Sequence, residues 1–189
     1  YKMRITPWFL LFSVFTFYGC NGEVIGTGIE GTAAIGKPII NAKVEIKTAS
    51  GETDETYTNS LGQFNIAAIN PNESHLLRIT QDDNSRLYSF ASSTGITNIH
   101  PYTDLIIRNW FAAHNMSIDA EFETTTPISP QLTSNEIDII KQEIKNLLAL
   151  ALTDYALPAE LDLISSSFDA NGTGFDRFLD NSTVAIRNE

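Results

Sequence analysis

Between Val24 and about Asn98 the apolar and polar positions alternate in short runs separated by turn residues, a period-two pattern that predicts antiparallel strands. Ile29, Gly31, Ala33 and Ile35 share one face of a first strand, and Gly36, Lys37 and Pro38 interrupt it before Ile39 and Ile40. Val44 and Ile46 alternate with Lys43, Glu45 and Lys47, after which Ser50 and Gly51 supply a turn. The polar run from Glu52 to Thr58 reads as an outer strand whose acids discourage pairing with another chain. Asn59 to Gly62 reverse the chain, Phe64 and Ile66 point inward, and Asn70 with Pro71 break the run. Leu77 and Ile79 begin the next buried row, His75 is expected at an exposed strand position, and Leu87 to Phe90 form one more strand beyond the hydrophilic loop Gln81–Asn84. The expected product is an antiparallel β-sandwich of about seven strands over residues 20–99.

The pattern then changes to a helical period, so residues 100–189 are expected to form an α extension. His100, Pro101, Tyr102, Thr103 and Asp104 mark a helix entry, because proline is tolerated in a first turn and the residue before it can cap. Leu105, Ile106, Ile107, Trp110 and Phe111 make that helix apolar on most sides, so it must be covered. From 115 to 131 periodicity is lost, and Glu121, Glu123, Thr124–Thr126, Pro127 and Pro130 indicate a surface linker. Thr133 and Glu136 have capping-box spacing, and Ile137, Ile140, Ile144, Leu147, Leu148 and Ala151 recur at helical intervals up to Pro158. A short loop and a strand-like run, Thr183 to Ile186, end the chain.

Within the β half, Gly31, Gly36, Pro38, Ile39, Ala42 and Val44, followed by Thr58, Asn59, Gly62 and Phe64, carry a specific order of strand and turn residues. That order resembles the carboxypeptidase regulatory-like family of transthyretin-like sandwiches over Ile29 to Thr80, with Asn59 where the family often has aspartate. The resemblance implies a fold and an accessory, binding or spacer role; the matched positions are structural, so it carries no ligand residue with it. Asn98, Ile99, Pro101 and Thr103 are similar to the junction found in bacterial lipoproteins that contain this domain.

The first nineteen residues are read as a secretory leader. Lys2 and Arg4 precede an apolar run from Trp8 to Tyr18, which is short of the about 20 residues needed to span a bilayer. Gly19 is followed by Cys20, the single cysteine, and then by Asn21, Gly22 and Glu23. This resembles the lipobox of bacterial lipoproteins, although Phe17 stands where leucine is commonest and Tyr18 where a small residue is usual. The resemblance implies cleavage before Cys20, lipidation of its thiol and acylation of its new amine, hence a palmitate-type anchor in the cell envelope. Several acyl chains hold a protein durably where one holds it only marginally, at about 0.8 kcal/mol per buried methylene. Asn21 resembles the sorting pattern for the outer membrane.

Charge and composition narrow the partners. The 189 residues carry 12 basic and 23 acidic side chains, and loss of Lys2 and Arg4 with the leader leaves 10 against 23, a net charge of −13. With no basic run in the sequence, nucleic acid is excluded as a partner class. One cysteine allows neither an internal disulfide nor a thiolate zinc site. His75, His100 and His114 lack zinc-hydrolase spacing, no Gly-x-Ser-x-Gly elbow occurs, and no glycine-rich phosphate loop follows a strand. The expectation is therefore no catalytic residue and no cofactor. One loop has ligand-like spacing: Asp169, Asn171, Thr173, Phe175 and Asp180 reproduce part of a calcium loop, Phe175 through its carbonyl. The competing reading is an Asn171–Gly172 turn followed by a helical turn whose Phe175, Phe178 and Leu179 plug the core.

The sequence thus leads to a lipid-anchored, non-enzymatic envelope protein that binds or spaces, with the sandwich and the Trp110 helix presenting a surface to an envelope protein or glycan. The alternatives are a hydrolase accessory or weak hydrolase, for which the paired Glu121 and Glu123 are the candidate acids, and a calcium-stabilised stub of a larger surface protein.

Overall fold

The computed structural model describes residues 28–129 and 132–184. The leader 1–19, Cys20, Pro130, Gln131 and the chain end from residue 185 lie outside the described residues. Among the described residues there are seven strands and four helices. Strands β1 (Gly28–Thr32), β4 (Gln63–Ala67) and β7 (Gly95–Ile96) form one sheet in the order β4-β1-β7. Strands β2 (Lys43–Thr48), β3 (Thr53–Tyr57), β5 (His75–Thr80) and β6 (Arg86–Ala91) form the other, in the order β3-β2-β5-β6. All pairs are antiparallel except β1 with β7, a two-residue parallel contact that continues into the Ala33–Ile99 bridge.

Alternation sorts the side chains as the pattern requires. Ile29, Phe64 and Ile66 from the small sheet and Val44, Ile46, Leu77, Ile79 and Ala91 from the large one bury together, so the sheets pack face to face. The opposite face of the large sheet contributes Leu76, Tyr88 and Phe90 to a second core, shared with the helices. The β half and the helical half therefore meet in continuous packing. Thr183 and Val184 are not in a strand.

Helix α1 (Pro101–Ala113) starts where expected, and its Ile106, Ile107, Trp110 and Phe111 are all buried. Trp110 therefore packs in the core and presents nothing to a partner, contrary to the expected binding helix. Its indole N–H donates to Glu136 Oε2 at 2.6 Å, because a buried indole needs an acceptor. Helix α3 (Ser134–Asp154) is capped by Thr133, whose Oγ1 accepts the Glu136 N–H at 3.5 Å. Tyr155 caps its other end before Pro158. Helix α4 (Gly174–Asp180) buries Phe175, Phe178 and Leu179 as plugs.

The linker expected over 115–131 contains a helix instead. Helix α2 (Ile118–Glu123) is capped by Ser117 and buries Ile118 and Phe122. Its first turn holds Asp119 and Glu121, favourable at the positive end of the helix dipole. Its carboxyl end is closed by fully buried Lys47, whose ammonium donates to the Glu121 carbonyl at 2.5 Å, the Thr124 carbonyl at 2.9 Å and Thr124 Oγ1 at 3.0 Å. Burial lowers the Lys47 pKa, against the opposing field of Glu121. All three ammonium protons have acceptors, which is the condition for burying that charge.

Candidate functional site

The titratable groups that burial shifts are mostly fasteners between helix and sheet. Arg78 on β5 donates to Glu45 Oε2 at 3.0 Å and to Glu123 Oε1 at 2.6 Å, and lies 4.2 Å over the Phe122 ring. Glu123, expected in a free acidic linker, is thereby tied to the sheet. Arg108 pairs with Asp104 at 2.9 Å and reaches Asp119 at 3.4 Å. Asp119 also accepts the Tyr88 hydroxyl at 2.7 Å, and burial together with that carboxylate raises the Tyr88 pKa to about 12. Asp104 is raised by burial, with Arg108 opposing. Such a seam is what packing a charged helix face onto a sheet produces; Glu45, Arg78 and Glu123 line a cavity of about 380 Å³, where they are engaged with one another.

The histidines divide by environment. His100 is fully buried and forms the N-cap of α1. Its Nδ1 accepts the N–H groups of Tyr102 and Thr103 at 3.2 and 3.3 Å, so the ring proton sits on Nε2 and donates to the Leu163 carbonyl at 2.7 Å. Desolvation lowers its pKa to about 4, only partly countered by that carbonyl. The helix-entry role is as expected. His75 is not the exposed residue anticipated: it is fully buried, and among the described residues neither ring nitrogen has a partner. It shares the inner face of β5 with Leu77 and Ile79, which explains its burial. Burial lowers its pKa, with Glu73 opposing.

The calcium-loop residues are placed as follows. Asn171 Oδ1 accepts from Thr173 N and Oγ1 at 3.0 and 2.6 Å, and the Asp169 carbonyl accepts the Asn171 N–H at 3.0 Å. Phe175 turns its ring inward, 5.1 Å from His100. Asp180 closes α4 on the exposed side. The buried carboxylate of this loop is Asp176, a departure from the calcium-loop pattern, which normally has an apolar residue there; its Oδ2 takes the Gly172 N–H at 2.7 Å. Among the described residues no group of three or more His, Cys, Asp or Glu side chains is arranged to hold a metal ion.

A groove of about 560 Å³ runs along the outer face of the small sheet. Register sets its floor: Glu30 on β1 lies opposite Asn65 on β4 and beside Ile96 on β7, and Thr32 lies opposite Gln63. One wall carries Tyr57, 60% exposed at the end of edge strand β3, and the other Asn98 and Ser167. Asn98 is engaged, accepting from Thr32 N at 3.0 Å and donating to Ser166 O at 2.7 Å. Asn59 accepts from Leu61 and Gln63 N–H groups and holds Gln63 Oε1 at 3.2 Å. Among the described residues the Gln63 amide nitrogen, Asn65 Oδ1 and the Tyr57 hydroxyl have no protein partner, and Asn65 reaches Glu30 only at 3.5 Å. Sequence reasoning missed this set; the one local signal was an aromatic residue, Tyr57, ending an otherwise polar strand. Among the described residues no helix is long and apolar enough to cross a membrane. Searches of family models and of curated proteins return no match to this chain.

Proposed function

We propose that the chain is a bacterial envelope lipoprotein, exported by a leader at 1–19, lipidated at Cys20 and held at the outer membrane, whose folded part is a non-catalytic binding module. The β half is read as a regulatory-like sandwich. Left-handed Gly36 and Gly62 and buried Ala42, Val44 and Phe64 support that reading, since they occupy the turn and core roles the resemblance assigns to them. The observation that carries the binding role is the division of polar groups: the charged seam is engaged in fastening helices to the large sheet, while the groove over the small sheet keeps the Gln63 amide nitrogen, Asn65 Oδ1 and the Tyr57 hydroxyl without partners among the described residues. A loaded acid–base site would show the reverse.

The test is to express the full chain and its Cys20→Ser variant in a Gram-negative host and to fractionate the cells. The expected result is membrane-bound, fatty-acid-labelled wild type and an unlabelled, released variant. A variant that stays with the membrane as the wild type does overturns the lipoprotein reading.

A further inference from the structure

Resting on the proposal of a binding module, the geometry points to a neutral oligosaccharide as the ligand of the small-sheet groove. Three observations converge. The first is ring-sized amphipathic space: about 560 Å³ open along the sheet, with half-exposed apolar surface at both sides, Tyr57 at 60% and Ile96 at 37% exposure. An aromatic side chain held at a rim without burying its ring offers a flat face to the C–H side of a sugar.

The second is the hydrogen-bonding character of the floor. A sugar hydroxyl is both donor and acceptor, so its best partners are groups that offer both. Gln63 and Asn65 present amides from alternate positions of β4, and Glu30, opposite Asn65, presents carboxylate oxygens able to take two neighbouring hydroxyls. These groups stand on paired strands, so their spacing is fixed before a ligand arrives, which reduces the ordering cost of binding. Asn59 holds Gln63 Oε1, and the Gln63 NH₂ has no partner among the described residues, so the second rank of hydrogen bonds orients the first.

The third is charge. Among the described residues Glu30 is the one ionisable group besides Tyr57 that lines the groove, and no lysine, arginine or histidine does. An anionic ligand would meet a carboxylate and a strongly acidic protein without a counter-charge. A cation would find a single exposed carboxylate, and an exposed ion pair contributes little. A neutral polyol fits both facts.

The experiment uses the full-length lipidated chain, ¹⁵N-labelled, in a zwitterionic detergent free of sugar headgroups. Cellotriose, maltotriose, chitotriose and mannotriose are titrated separately, with an unstructured neutral peptide as the comparison ligand. At least one trisaccharide is expected to shift the side-chain amide signals of Asn65 and Gln63 in a saturable manner, and Tyr57→Ala and Glu30→Gln are each expected to weaken that binding by roughly tenfold, with backbone spectra confirming the fold. The inference is overturned if none of the four sugars shifts these signals at about 20 mM, a level that would detect even millimolar affinity. Shifts that persist unchanged in both variants, or that only the peptide produces, overturn it equally. None of these outcomes touches the membrane anchoring, which the Cys20→Ser fractionation decides separately.

Discussion

Asp104 of α1 accepts the backbone N–H of Tyr88 on β6 at 3.1 Å, and the neighbouring Thr103 hydroxyl donates to the Tyr88 carbonyl at 2.9 Å. Strand β6 is an edge of the four-stranded sheet, and the helix that follows it covers that edge with side chains in the place of a further strand. An uncovered edge would invite pairing with another chain. Arg108 completes the arrangement, neutralising Asp104 and reaching the Arg86 carbonyl at 3.4 Å.

Removing the Asp104 carboxylate therefore leaves the buried Tyr88 N–H without its acceptor and takes from Arg108 the partner of its Nε, with only the longer contacts to Asp119 and the Arg86 carbonyl remaining. Asp104→Ala is expected to destabilise the fold by about 2–4 kcal/mol, and Asp104→Asn, which keeps an acceptor for Tyr88 N–H, by about 1–2 kcal/mol. Urea denaturation at pH 7 of the two variants checks the order. Equal losses would show that the edge contact contributes nothing beyond the ion pair.

Lys47 supplies a comparable test on α2. Lys47→Met keeps the aliphatic stem and removes the donors to Glu121 and Thr124, so the helix end loses its cap. The expectation is a loss of about 1–3 kcal/mol, with faster amide exchange concentrated in residues 118–124. Exchange measured by mass spectrometry distinguishes local release of α2 from a uniform loss of stability.

These helices also show what the sequence could and could not convey. The α3 cap was legible because Thr133 and its partner are three residues apart, yet Glu136 turned from the capping box to Trp110, a choice made by residues 26 apart. Helix α2 was illegible because six residues offer a single i, i+4 apolar pair, Ile118 and Phe122, and its end is closed by a lysine 74 residues away. The alternation that placed Leu77 and Ile79 inside also placed His75 there, but residue type argued the other way and burial won. The groove depends on Glu30 meeting Asn65, a matter of strand register that local pattern does not encode.

Gly36 ties the end of the first β segment to the end of α4. Its φ is +82°, and a Cβ there would collide with the backbone of Asp180. Gly172 also has positive φ, at +76°, but open space around it. Gly36→Ala is accordingly expected to cost well above the about 1 kcal/mol that backbone strain alone costs at Gly172→Ala. Melting temperatures of the two variants, measured side by side, separate collision from strain.

In the loop carrying Asp169, Asn171 and Thr173, Asn171 Oδ1 is engaged by Thr173 and Asp176 Oδ2 by Gly172, while Asp176 Oδ1 is buried without a partner among the described residues. A calcium ion would have to displace the Asn171 bonds, so excess EDTA is expected to change the melting temperature by less than about 1 °C. Stabilisation that grows with added calcium, as mass action requires of a native-state ligand, would support the calcium reading.

The buried histidines set the pH response. His100 titrates at about 4 in the fold against 6.5 in the unfolded chain, and His75 is shifted in the same direction. Between those limits the unfolded chain binds more protons, so stability is full above about pH 6.5 and falls as the pH drops towards 4. His100 alone accounts for about 2 kcal/mol at pH 5 and about 3 kcal/mol by pH 4. The cause is burial of the ring, and a proton on Nδ1 would in addition face the N–H groups of Tyr102 and Thr103 that this nitrogen now accepts. Asp119 and Asp162, whose pKa values are lowered below the ordinary 3.8, become protonated in the fold only at still lower pH, so the upper window belongs to the histidines. His100→Asn retains a side-chain oxygen for the cap but has nothing to titrate. It is expected to be less stable than the wild type at pH 7.5 and to lose less between pH 7 and 4.5. Urea denaturation across that range gives the slopes, and parallel slopes in the two proteins would remove His100 as the source of the acid sensitivity.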